Sequence, residues 1–128
     1  MSAECCDDIE TYIDNNMKDY TFKELLFIYI DDRDLKDSDV YNKVHIDRRL
    51  LKKNVRNYKP NKRNIILLGL SLELSIDELL NLLSTCSYTL SFNSYYDLII
   101  RFCFINKIYS IADVNELLAI YRCEQFNY

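Results

Sequence analysis

Between Lys43 and Arg63 the chain carries nine cations, Lys43, Arg48, Arg49, Lys52, Lys53, Arg56, Lys59, Lys62 and Arg63, against the single acid Asp47. Nine cations less one acid make this stretch +8, so the chain's net −4 leaves −12 for everything else. Separation of charge on this scale creates a local field that the net charge hides. The chemistry open to clustered Arg and Lys is recognition of phosphate. A guanidinium fork matches two oxygens at once or reads the O6/N7 edge of guanine, and an ammonium acts as a point charge on the backbone.

The acids have a pattern of their own. Glu4, Asp7, Asp8, Glu10 and Asp14 crowd the first sixteen residues. They read as a solvated helix face or, in a sharper reading, as a surface that mimics nucleic acid and meets a basic protein through Asp7, Asp8 and Asp14. The adjacent acids Asp31–Asp32 and Asp77–Glu78 fall in a turn and at a helix start, where surface and dipole roles are expected. Cysteines 5, 6, 86, 103 and 123 are odd in number and lack metal spacing, and His45 is the only histidine. No metal or cofactor is expected. Without a Gly-rich phosphate loop or a nucleophile–base pair, the chain does not read as an enzyme. The acidic, polar N-terminus is no signal peptide, and charges break every apolar run well short of a membrane span. A cytoplasmic protein with reduced thiols and no membrane partner is expected.

The elements that must position these groups are helical. One Gly and one Pro in 128 residues leave too few turn residues for an all-β fold. The length fits one domain, 1–128, divided into an acidic N-terminal helix (1–20), a helix-turn-helix core (21–84) and a C-terminal helical extension (85–128). Ile9, Tyr12, Ile13 and Met17 give residues 3–16 one apolar face. Thr21 with Glu24, and Ser75 with Glu78, are capping boxes opening helices over 22–32 and 76–84. Asn61 caps 62–72, apolar nearly all round and therefore buried, with Gly69 marking close helix packing. Further helices are predicted over 95–106 and over 111–121, the latter started by Ser110 with Asp113. The tail 122–128 is expected to fray. Around the basic stretch, Asp37 or Ser38 caps an amphipathic run over 38–44, His45 serves the break, and Asp47 caps a second run over 47–54. That second run turns Leu50 and Leu51 inward and Arg48, Arg49, Lys52, Lys53 and Arg56 outward. The predicted fold class is all-α, a compact bundle of about six to seven short helices containing a helix-turn-helix.

LKDSDVYNKVHIDRRLLKK, followed by YKPNKRNIILLGLSLELSIDELLNLLS, SYTLSFNSYYDLIIRF and IYSIADVNELL, resembles the lambda-repressor-like (Cro/Xre-type) helix-turn-helix family. Within it the segments look most like a set of small proteins of Firmicutes and related bacteria. The resemblance spans roughly residues 21–118. It puts Val40, Val44, Ile46 and Leu50 on core positions of the motif, His45 on its turn, and Asp47, Arg48, Arg49, Lys52 and Lys53 on the start and exposed face of the recognition helix. The sequence departs from the pattern at Tyr41, at Asn54, where an apolar residue is usual, and in a shortened segment before Tyr58.

The expected partner is double-stranded DNA. Arg48 or Arg49 would read base edges in the major groove, while Lys52, Lys53, Arg56, Lys59, Lys62 and Arg63 would contact phosphates, as in a transcriptional regulator. A homodimer through the C-terminal helices, using Phe102, Phe104, Ile108, Tyr109 and Ile120, would match a two-fold operator. These residues equally suit a role in the core. An acidic pI near 5 weighs against DNA. The alternative is a protein-binding regulator that reuses the fold, such as a phage-encoded inhibitor (an anti-CRISPR-type protein, for example) docking on a nucleic-acid-guided nuclease of bacterial defence.

Overall fold

The computed structural model describes residues 3–17, 20–33 and 60–126, and only the backbone of residues 3–7. Within them the chain is all-helical and no strand occurs. Six helices are described: α1 (Ala3–Asn16), α2 (Phe22–Asp32), α3 (Lys62–Leu72), α4 (Ile76–Ser84), α5 (Tyr95–Ile105) and α6 (Ile111–Ile120). The helix-turn-helix expected over 38–54 lies outside the described residues, with His45, Asp47, Arg48, Arg49, Lys52, Lys53, Arg56 and Lys59.

Side-chain caps start most of these helices. The first N–H groups of a helix have no partner within it, and a short polar side chain supplies one at about 1 kcal/mol each. Thr21 Oγ1 accepts from Glu24 N, Asn61 Oδ1 from Asn64 N and Ser94 Oγ from Asp97 N. The Ser75–Glu78 box is complete, with Ser75 N donating to Glu78 Oε1 and Glu78 N to Ser75 Oγ. Ser110 precedes α6, but its side chain makes no cap hydrogen bond.

The helix ends repeat one device. The Leu74, Tyr88, Ile108 and Cys123 N–H groups reach back to the Gly69, Leu83, Cys103 and Leu118 carbonyls at 2.8–3.0 Å. In each case the preceding residue, Glu73, Ser87, Lys107 or Arg122, has φ between 55° and 63°. This is the Schellman ending, which usually takes glycine. With a single glycine in the chain, four side-chain-bearing residues accept the left-handed conformation instead.

The core is built around α3, in which Ile65 through Leu72 are all buried. Leu26 and Ile30 of α2, Leu79, Leu82 and Leu83 of α4, Ile100 and Phe104 of α5, and Val114 and Leu118 of α6 complete the same buried cluster. The one glycine sits where α3 meets its neighbours. A Cβ on Gly69 would lie 2.9 Å from Leu79 Cδ1 and 3.1 Å from Phe104 Cζ, so close approach requires its absence. Arg33 ties the other end together. It donates to the Leu72 carbonyl at 2.7 Å and to Glu78 Oε1 at 2.8 Å, joining the exit of α2 to the end of α3 and the start of α4. Burial pushes the Glu78 carboxyl up, but hydrogen bonds from Ser75 and Arg33 outweigh it and hold the carboxyl below its ordinary value.

One local expectation is corrected. The tail does not fray as far as Phe126. That residue is 3% exposed, its N–H donates to Asn115 Oδ1, and its carbonyl accepts from Asn115 Nδ2. A buried aromatic with both backbone groups satisfied is a docked end. The apolar face of α1 is exposed, with Ile9, Tyr12, Ile13 and Met17 between 44% and 68% accessible. Among the described residues no helix is long and apolar enough to cross a membrane.

Candidate interaction surfaces

Of the eight cations expected to meet nucleic acid, Lys62 and Arg63 are described, and both are engaged within the chain. Lys62 opens α3 and places Nζ 2.8 Å from Oδ1 of Asp97. Asp97 is a buried acid in the first turn of α5, and its second oxygen accepts from Ser91 N at 2.7 Å. The pair pins the loop between α4 and α5 against the start of α3. Pro60 is buried beside it, and its carbonyl accepts from the Tyr88 hydroxyl. Arg101 holds the same loop by donating twice to the Leu90 carbonyl.

Arg63 turns toward the tail. Its guanidinium donates to the Gln125 carbonyl, lies 3.6 Å from a Glu124 oxygen, and stacks over the Phe126 ring at 4.6 Å. The Tyr96 ring lies beside Phe126, with centroids 6.2 Å apart, and its centre is 5.8 Å from the guanidinium. Burial pushes the Tyr96 phenol up to about 12, with the Arg63 charge pulling the other way. Nothing in the spacing of the basic stretch separates these two cations from the seven before them. The signal lay in Asp97 and Glu124, whose approach only the folded chain reveals.

The acidic candidates share α1. Asp8 and Asp14 are exposed, and Asp7 lies one turn pair before Asp14 on the same helix face. Among the described residues, no group of three or more His, Cys, Asp or Glu side chains is placed to hold a metal ion. Cys103 sits in the core, where burial pushes its thiol up to about 11. That favours the unreactive thiol form.

A third surface was not legible beforehand in this form. Of the C-terminal residues expected to form either an interface or the core, Phe104 is buried and Ile108 and Tyr109 pack against the core. Phe102 and Ile120 are 52% and 65% exposed. They belong to an apolar face running along α5 and onto α6, with a groove of about 390 Å³ between Tyr95, Leu98, Ile99, Phe102, Leu117 and Tyr121. Tyr95 and Tyr121, both lining it, stack with centroids 6.0 Å apart.

The chain matches no protein-family model, no curated protein and no solved structure.

Proposed function

We propose that the chain is a DNA-binding helix-turn-helix protein that contacts the duplex through residues 43–59, held on the helical body described above. The observation that supports this reading is the charge of that stretch. With Lys62 and Arg63 engaged inside the fold, the seven cations from Lys43 to Lys59 less Asp47 still amount to +6. Arg48 and Arg49 are the base-reading candidates, and Lys52, Lys53, Arg56 and Lys59 the phosphate contacts. Binding to random duplex should be measurable near 50 mM salt by fluorescence anisotropy. About four neutralised phosphates give a slope of log affinity against log salt of roughly −4. Lys52→Gln should reduce that slope by about 1. Absence of binding at low salt would sink the reading. Pairing through the C-terminal helices would present two such surfaces to a two-fold site.

A second reading, a protein-binding regulator, is favoured by the exposed helix α1, where an acidic face and an apolar stripe both meet solvent. Its partner would be a protein with a basic channel, such as a nucleic-acid-guided nuclease, engaged by Asp7, Asp8 and Asp14. Charge reversal separates the two. Loss of function on reversing those three acids, with the Arg48→Glu/Arg49→Glu variant unaffected, selects the protein partner.

A further inference from the structure

Helix α5, YYDLIIRFCFI, holds only two charged residues, Asp97 and Arg101, and both are turned to internal partners. A helix apolar on every side is the signature of one buried on every side. Yet only one half of α5 is buried, through Ile100, Cys103 and Phe104. On the other half Tyr95 is 70% exposed, Leu98 39%, Phe102 52% and Ile105 61%. Ile120 and Tyr121 of the α6 end add 65% and 55%. With large side chains carrying ~200 Å² each, these exposed fractions come to roughly 680 Å². That is just above the largest patch a typical monomer leaves open, about 300–600 Å². It also approaches the roughly 800 Å² per partner of a standard interface, whose remainder is polar rim.

The order of side chains along the stripe says what covers it. Tyr95, Leu98, Phe102 and Ile105 alternate aromatic and aliphatic, and they are placed symmetrically about position 100. Laid antiparallel on a second copy of itself, the stripe brings Tyr95 opposite Ile105 and Leu98 opposite Phe102. Each ring then meets an aliphatic side chain, with no ring-on-ring crowding and no like charges opposed. Such self-complementarity is what a two-fold, isologous contact demands, and antiparallel helices also oppose their dipoles favourably. We infer that the α5–α6 face is a homodimer interface in which α5 packs antiparallel against α5 of a second copy, about a two-fold axis that crosses the exposed stripe midway between Leu98 and Phe102. This contact does not depend on what residues 43–59 bind.

Sedimentation equilibrium on the whole chain tests it, up to about 100 µM, where a micromolar interface is nearly saturated. The expected mass rises with concentration from 15.3 kDa to twice that value. Phe102→Glu should weaken association at least about 30-fold, the effect of losing a central anchor, with helicity by circular dichroism unchanged. Ile105→Glu serves the same purpose should Phe102→Glu lose helicity. Phe92→Glu alters a residue that is 71% exposed but lies before α5, and it should leave the dimer intact. The register has its own test. Adding Leu98→Lys to Phe102→Glu opposes unlike charges across the axis and should recover part of the lost association. A monomer at every concentration, a dimer indifferent to Phe102→Glu, or no recovery in the double variant would each overturn the proposal.

Discussion

Lys62 shows how a cation can lie in a basic run and belong to the core. Its partner Asp97 has a side chain only 7% exposed and holds the loop before α5 through the Ser91 N–H. Removing the ammonium leaves a buried carboxylate with one hydrogen bond fewer, and breaking such a pair is costly because the remaining charge stays desolvated. Lys62 itself is 27% exposed, so solvent screens part of the effect. Lys62→Met should therefore destabilise the fold by about 2–3 kcal/mol, read as a lower urea midpoint at unchanged m-value. The same variant should leave the salt slope of DNA binding where it was, because this ammonium is not among the phosphate contacts. Arg63 follows the same logic through Phe126, Tyr96 and Glu124.

At the scale of elements, helix starts and helix ends differ in how clearly they can be read. Starts depend on a side chain within three residues of its N–H partner, and so the Thr21, Asn61 and Ser75 caps are legible in the sequence. Ends depend on one residue accepting a left-handed backbone, and only glycine advertises that. In a chain with one glycine, Glu73, Ser87, Lys107 and Arg122 take those positions unannounced. The left-handed conformation costs a side-chain-bearing residue roughly 1–2 kcal/mol, partly offset by the extra unfolded-state entropy of glycine. Lys107 is exposed, so Lys107→Gly should stabilise the protein by about 0.5–1 kcal/mol. A thermal melt should show this as a rise of roughly 3 °C in Tm.

For the whole molecule, the proposed surfaces answer oppositely to salt. A net charge of −4 repels a second copy, and screening that repulsion should hold or tighten the dimer as salt rises. DNA binding through the basic stretch should weaken about 80-fold between 50 and 150 mM salt at a slope of roughly −4, by mass action of released counterions. Following mass and duplex binding across one salt series would separate the two. If both weakened in parallel, the α5–α6 face could not be an apolar contact between copies. By itself the sequence determined the all-helical class, the helix starts, the buried α3 and the close packing at Gly69. Each rests on spacing within one helix or on the need of one backbone group. What only the tertiary structure decided was the fate of groups whose partners are distant in the chain. Lys62 met Asp97, Arg63 met Phe126 and Glu124, the tail docked on Asn115, and one half of α5 was left bare. Periodicity says that a helix has two apolar sides, but only the packing of its neighbours says which side is covered.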